Sequence, residues 1–474
     1  PSENYMTTGA VYQSVIARER NLEYEGKCVE VVPHIPEEVI RRLERASKKA
    51  KADFVLVEIG GTVGEYQNAL FLETGRMMKL RHPHDILFIL VSYLPVPNTI
   101  GEMKTKPTQH AVRALNYAGI QPDIIIARSH MPIDEPRKQK IGIFCNVAEQ
   151  DVISAPDTKF IYEVPVNFEK DRLGDRILSK CELSSKKRDT GEWNRFVSRV
   201  QRLVNTVRIG IVGKYFGSGA YILSDSYISV IEAIKHASWS LGKNPEISWL
   251  DAEQYERNPE AAGELASYDG IIVPGGFGTR GVEGKIKAIE YCRKNGKPFL
   301  GLCYGLHLAV VEFGRNVCKL ERAHTTEVER NTPHPVIHAL PEQLANIREK
   351  RMGGSMRLGA YTCTLMPESR SYRAYCGVSL RGRRKGIHPP AHLISERHRH
   401  RFEVNNDYRE ILEKNGIICA GINPERNLVE IIELKKHPFF VGTQFHPEFT
   451  SRPFKPHPLF REFVKAAIKA SKSS

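Results

Sequence analysis

Short apolar, β-branched runs separated by amphipathic stretches recur along most of this chain, and they restrict it to one kind of architecture. DFVLVEIG (53–60), DILFILVSYL (85–94) and DIIIARS (123–129) are near-continuous apolar runs, the pattern of strands buried on both faces. CVEVVPHI, from residue 28, reads as a strand, and PEEVIRRLERASKKA as a helix with Val39, Ile40, Leu43 and Ala46 on one face. Strand and helix in this alternation predict a parallel, doubly wound sheet. A second series starts with VRIGIVGKY (207–215) and continues through the helix SYISVIEAIKHASWSLG and the strands YDGIIVPGG and KPFLGLC. Between the two, LSSKKRDTGEWNRFVSRVQRLVN opens polar and charged and reads as a linker. The expected division is a first domain over 1–182, a linker over 183–206 and a second domain over 207–474. The fold class is α/β with two doubly wound parallel-sheet domains. Residues 367–390, rich in Arg, Gly and Pro, read as an irregular basic insertion.

Composition narrows the function classes. With 41% hydrophobic and 26% charged residues, the chain falls among globular proteins rather than disordered or fibrous ones. No apolar run reaches the roughly 18 residues of a membrane span, and the start, PSENYMTTGA, lacks the pattern of a secretory leader. A cytoplasmic location is the default expectation, with no membrane partner. The nine cysteines, at 28, 145, 181, 292, 303, 318, 363, 376 and 419, form no CxxC pair or zinc-spaced cluster. An odd, dispersed set fits a reducing compartment. Lys and Arg exceed Asp and Glu by 69 to 55, a net charge of +14. That balance suits nucleic acid, a membrane surface or small polyanions such as nucleotides, and equally a solvated lysine surface. The absence of an RNP-like aromatic set, a zinc finger or a long basic arm sets nucleic acid aside.

GLCYG (301–305) places Gly-x-Cys-x-Gly between an apolar strand and an apolar helix, LHLAVVEF. This is the thiol counterpart of the Gly-x-Ser-x-Gly elbow, where a sharp turn exposes the nucleophile. A thiol at a helix N-terminus meets the positive end of the helix dipole. Cys303 is therefore the nucleophile candidate, although alone it could also be a buried structural cysteine. One strand earlier, VPGGFGTRG puts paired glycines at a strand end, where Gly276 could donate to an oxyanion together with the backbone of Tyr304. Near the C-terminus FFVGTQFHPEFTS offers His446 and Glu448. In an extended chain these point to one side, so that the carboxylate orients the imidazole.

Together the three segments resemble class I glutamine amidotransferases, in residues and in order. The resemblance implies that Cys303 attacks the side-chain amide of glutamine, His446 acts as base and then acid, and Glu448 holds His446. It also implies that Glu327 in AHTTEVER and Arg401 in ERHRHRFEVNN hold the two ends of the amino acid, beside His307. Alternation in RHRHR would place Arg397, Arg399 and Arg401 on one strand face, a carboxylate clamp. Tyr304 and His307 stand where Leu and Gln are common in that family.

The first half must then name the acceptor of ammonia. KTKPTQH (104–110) puts two lysines and several donors at a loop entering a helix, a suitable place for phosphates. VLVEIGGTVGE ends an apolar run with Glu58 and two glycines, which suits a carboxylate on Mg²⁺ beside a nucleotide. Each alone could be an ordinary helix start or turn. With IARS (126–129), KIGIFCNV (140–147), RMGGSMRLG, PGGFGTRGVEG and the cysteine elbow, they resemble the CTP synthase family across essentially the whole chain. That resemblance implies a P-loop-NTPase-like amidoligase domain followed by the glutaminase domain. ATP would phosphorylate the 4-oxygen of UTP and ammonia would displace the phosphate. It assigns Lys104, Thr105, Lys106, Pro107, Thr108, Gln109 and Lys140 to UTP, Arg128 to ATP and Glu58 to Mg²⁺. GTP is implied as allosteric activator, CTP as feedback inhibitor, and a homotetramer able to stack into filaments as the assembly.

Two departures stand out. The family's glycine-rich phosphate loop, ending in lysine and followed by a metal-binding aspartate, does not occur in these residues, and the look-alike GTRGVEGKI (278–286) has the wrong glycine spacing. The expectation is an N-terminally incomplete synthetase domain, a fragment with glutaminase chemistry only. Glu65, Tyr66 and Gln67 replace the usual Asp, Ile and Glu beside the inhibitory cytosine. A guanylate synthetase would need a Ser-Gly-Gly-x-Asp-Ser loop, and none is present.

Overall fold

A computed structural model describes residues 4–99, 101–185, 189–214, 217–218, 221–222, 227–339, 356–377 and 392–472. Two units separate by their internal contacts, Pro1–Arg199 and Val200–Ser474.

The first unit carries α1 (Thr8–Arg20), α2 (Val31–Ala50), α3 (Ala69–Arg81), β1 (Ile89–Tyr93), α4 (Lys106–Tyr117), β2 (Ile124–Ser129), α5 (Glu135–Cys145) and β3 (Val152–Pro156). The three strands form a parallel sheet in the order β1-β2-β3, with Val91 opposite Ile126 and Ile126 opposite Ile153. Leu90, Val112, Leu115, Ile125, Ile141 and Val152 make its core. A smaller core joins α1 and α2 through Val11, Val15, Ile35 and Val39. Side-chain caps start two of these helices: Thr7 accepts from the Ala10 amide and Asp134 from that of Arg137.

Three expected strands change here. Residues 53–60 form no strand, and Phe54, Val55, Leu56 and Val57 are exposed. A strand persists only where a neighbour takes up its N–H and C=O groups, and no described strand pairs with this run. CVEVVPHI is also not a strand, because α2 begins within it, with a non-helical backbone at Val32. DILFILVSYL yields only the five residues of β1, with Val91 and Tyr93 on an open face rather than buried. Over the expected linker, Gly191–Gln201 is a helix that buries Phe196 and Val197, and its Trp193 Nε1 donates to the Tyr162 carbonyl at 2.9 Å.

The second unit contains β4 (Thr206–Gly213), α6 (Ile228–Ser240), β5 (Asn244–Asp251), β6 (Gly270–Val273), α7 (Val282–Lys294), β7 (Phe299–Leu302), α8 (Tyr304–Asn316), β8 (Arg357–Leu365), β9 (His392–His400), β10 (Ile417–Asn423), β11 (Leu428–Leu434), β12 (Phe440–Thr443) and α9 (Pro458–Ala470). They build a nine-stranded sheet in the order β9-β8-β10-β11-β12-β7-β6-β4-β5. Only β12-β7-β6-β4-β5 is parallel, and β9-β8-β10-β11 continue it in antiparallel fashion. The doubly wound expectation therefore describes half of this sheet. Alternation along β7 sends Phe299 into the core under α7 and α8, and Leu300 into the core under α6 and α9. Within the expected basic insertion, Arg370–Cys376 is a helix capped by Ser369 and tied by the Glu433 carboxylate to the Arg370 and Ser371 amides. Residues 378–390 of that insertion, and 351–355 of RMGGSMRLG, lie outside the described residues.

One buried ion network braces the antiparallel half. Arg357 of β8 donates to Glu403 at 3.2 Å and to Glu430 of β11 at 2.7 Å, and all three side chains are buried. Burial pushes both carboxyls up, Glu403 to about 8 and Glu430 to about 7, against the pull of Arg357. Removing one partner of a buried pair strands the other. We expect Arg357→Met to lose about 3–5 kcal/mol of stability in denaturant titrations. The loss should grow as pH rises from 6 to 9, because the folded protein then holds carboxyl protons that the unfolded chain releases.

Candidate active site

The parallel half of the sheet delivers its strand ends to one place. β7 ends at Leu302 and α8 begins at Tyr304, so Cys303 alone makes the turn between them. Its backbone adopts φ 49° and ψ −98°, a conformation that costs an L-residue about 1–3 kcal/mol and persists only where its surroundings enforce it. Two constraints do so. The Cys303 amide donates to the Thr443 carbonyl of β12 at 2.6 Å. Gly305 lets α8 start against β6, since a Cβ there would lie 2.2 Å from the Val273 carbonyl oxygen.

His446 follows β12 and reaches the same point. Its Nδ1 lies 2.7 Å from Glu448 Oε1, and its ring stacks on Phe449. The contact arises differently from the extended geometry expected, because Pro447 opens a short 3₁₀ turn, Pro447–Thr450, that brings Glu448 back to the ring. Burial works against the imidazolium, yet the Glu448 carboxylate and the interaction with Cys303 hold the His446 pKa well above the usual histidine value. A ring so held can give its proton to a leaving amine. Gly275 permits the meeting, as a Cβ there would sit 2.9 Å from His446 Cε1 and 3.7 Å from Cys303 Cβ.

Around this pair stand the expected glutamine-site residues. A Cβ on Gly276 would face Tyr304 Cδ1 at 4.0 Å, so Gly276 lies against the Tyr304 ring. The Tyr304 hydroxyl donates to the Gly278 carbonyl at 2.8 Å, and the Gly278 amide donates to Glu327 at 3.0 Å. Burial raises the Glu327 pKa, opposed by that amide, by Lys214 and by Arg401. Arg401 thus lies near Glu327. It does so from a bend after β9, whereas Arg397 and Arg399 are exposed on the strand, so the three arginines do not share one face as expected. The buried face of β9 carries His398 and His400, 2.8 Å apart.

His307 is buried, and burial pulls its pKa down to about 4, so the ring is neutral. Its Nε2 lies 2.9 Å from Gln444 Oε1, while Gln444 Nε2 lies 3.9 Å from Cys303 Sγ. Gln444 was not among the expected site residues, and neither were Gly275 and Lys214. The position of Gln444, two residues before His446 in GTQFHPE, was the available signal. Lys214 is buried, and its amine donates to the Phe277 carbonyl in the glycine loop.

In the first unit, Lys104, Arg137 and Lys140 gather around Glu102, whose pKa falls chiefly through its hydrogen bond from Lys104. Thr105 is the N-cap residue of α4, Lys106 and Pro107 are exposed at its start, and Thr108 and Gln109 point inward. Thr108 Oγ1 meets Ser92 Oγ at 2.8 Å, and Gln109 Nε2 donates to Thr105 Oγ1 at 3.2 Å. The inward pair shapes the loop, leaving the lysines to face outward. Arg128 pairs with Asp157 at 3.0 Å. Glu58 is exposed on the irregular 53–60 segment, and Tyr66 projects from a 3₁₀ turn whose Gln67 donates to Glu65. Among the described residues no group of three or more His, Cys, Asp or Glu side chains could hold a metal ion by itself. No helix among them is long and apolar enough to cross a membrane.

A cysteine elbow beside a His–Glu pair on a parallel sheet defines a class I glutamine amidotransferase, and residues 222–466 match that family's model. Residues 1–183 match the model of the CTP synthase N-terminus. CTP synthase of Carboxydothermus hydrogenoformans is 46% identical over 468 residues, 98% of this chain and 83% of its own. That of Microcystis aeruginosa is 45% identical, covering 98% of this chain and 81% of its own. The glutaminase domain of Trypanosoma brucei CTPS, solved with bound acivicin, is 34% identical over 56% of this chain and 94% of its own, with a TM-score of 0.48. The chain belongs to the CTP synthase family and is a glutamine-hydrolysing ligase forming a C–N bond. The expectation of glutaminase chemistry alone is not supported, because the synthetase family model matches the first half as well.

Glu448→Gln preserves shape and removes the charge that holds His446 protonated. We expect the His446 midpoint, followed by NMR, to fall by at least about one pH unit as the burial penalty takes over.

Proposed function

We propose that Cys303, His446 and Glu448 release ammonia from glutamine, and that this ammonia aminates UTP activated by ATP in the first half. The strained Cys303 beside a carboxylate-held His446 is the observation that carries the reading. The sulfur attacks the glutamine amide carbon, and its oxygen becomes negative against the amides of Gly276 and Tyr304. His446 gives its proton to the departing nitrogen, leaving a thioester. Water, deprotonated by the same ring, then releases glutamate. Glu327 receives the substrate ammonium and Arg401 its carboxylate, in keeping with their proximity and opposite charge.

In the synthetase half, Lys104 and Lys140, drawn together at Glu102, offset the phosphates of UTP. Thr105, Lys106 and Pro107 present the start of α4 to the same ligand, and Thr108 and Gln109 set the loop's shape from within. Arg128 faces ATP. Glu58 fits one carboxylate ligand of a nucleotide-bound Mg²⁺, because that ion keeps waters and phosphate oxygens as its other ligands. When bound, Mg²⁺ neutralises charge between the two triphosphates. Phosphorylation of the UTP 4-oxygen creates a leaving group, which ammonia displaces to give CTP. GTP activates, and CTP inhibits beside Glu65, Tyr66 and Gln67. Nine unpaired cysteines suit a reducing cytoplasm.

Cys303→Ala should abolish glutamine hydrolysis while leaving UTP binding, read by calorimetry, and CTP formation from ammonium unchanged. A parallel fall of the ammonium reaction in a folded variant would break the division of labour. Arg401→Ala should raise the Michaelis constant for glutamine about 10- to 150-fold, equivalent to about 1.5–3 kcal/mol for a charge-assisted contact. An unaltered constant would return Arg401 to a surface role.

A further inference from the structure

Lys285 occupies an expensive position. It lies in the first turn of α7, with its amide bonded to the Gly281 carbonyl at 3.2 Å, so its charge faces the positive end of the helix dipole. Its side chain is 0% exposed, and its amine has no hydrogen-bond partner among the described residues. Burial first, and Lys214 second, lower its pKa to about 7. Among the described residues, the face of the Tyr304 ring lies 5.4 Å from the amine. An unpaired buried cation is costly enough to be rare in proteins unless negative charge meets it.

The surroundings indicate where that charge arises. The Lys285 amine would lie 3.7 Å from a Cβ on Gly276, and Gly276 and Tyr304 are the two residues whose amides face the reacting oxygen in the reading above. We propose that Lys285 is a positioning residue for glutamine hydrolysis, seated behind the Gly276–Tyr304 pair so that its ammonium orients the Gly276 peptide and favours negative charge on the tetrahedral oxygen. The neutral amide of bound glutamine gains little from such a cation, and the oxyanion gains more, so the effect falls on turnover rather than on binding. The inference rests on the assignment of Cys303 and its oxyanion donors.

The test uses Lys285→Met, close in volume and uncharged, with Lys285→Gln beside it so that a packing defect in one does not decide the result. We expect the glutaminase kcat to fall about tenfold or more, less than loss of a direct oxyanion donor, with the glutamine Michaelis constant within about twofold. Removing a buried amine with no hydrogen-bond partner should leave the melting temperature unchanged or raise it, which a purely structural lysine would not combine with lost turnover. Glutamate γ-semialdehyde, whose carbonyl carbon accepts the Cys303 sulfur to give a tetrahedral adduct, should bind about tenfold more weakly to either variant, and glutamate equally well. Wild-type kcat and aldehyde affinity in folded Lys285→Met and Lys285→Gln would overturn the inference. Hydrolysis persisting in Cys303→Ala would instead overturn the underlying assignment, so the two failures are distinguishable.

Discussion

The glutaminase half depends on a single backbone turn that an isolated peptide would not make. Cys303 sits at positive φ because β7 must stop and α8 must start within one residue, and because the Thr443 carbonyl of β12 holds its amide. β12 then continues to Gln444 and His446, so the strand pairing that fixes Cys303 also aims His446. Parallel β7 and β12 point their carboxyl ends the same way, which is where α/β folds place their sites. The strain in the turn is sustained by the Thr443 carbonyl of β12 and by the close approach of α8 to β6 at Gly305.

Around that turn, electrostatics are set by burial. Glu448 outweighs desolvation at His446, whereas burial drives His307, His398 and His400 toward the neutral form, the Glu403 and Glu430 carboxyls near the last two being themselves held toward the protonated form by burial. The same environment that disarms three histidines therefore leaves one charged. Lys285 lies against Gly276 and Lys214 donates to the Phe277 carbonyl, so both amines stand on the glycine-loop side.

Much of this was legible in the residues. The apolar runs of VRIGIVGKY, YDGIIVPGG and KPFLGLC became β4, β6 and β7, and the elbow, the glycine pair and the His-x-Glu segment came together in space. What failed, failed for identifiable reasons. DFVLVEIG has strand composition, but a strand is a property of a pair, and no described partner is there. His446 and Glu448 do meet, but through a 3₁₀ turn rather than an extended backbone, since Pro447 favours a turn. Alternation in RHRHR was real, yet it faced the histidines inward and left two arginines outside.

By itself the sequence determined the α/β class and the family, and pointed to a nucleophile and its base, because these reside in residue types and local spacing. Tertiary structure alone decided which polar groups lost their water. Lys285 looks like any helical lysine in GVEGKIKAI, and Gln444 like any strand-end amide in GTQFHPE. Only the folded sheet shows the first to be sealed against Gly276 and the second to be turned toward the Cys303 sulfur. Desolvation and through-space charge depend on neighbours distant in the chain, and no window of consecutive residues contains them.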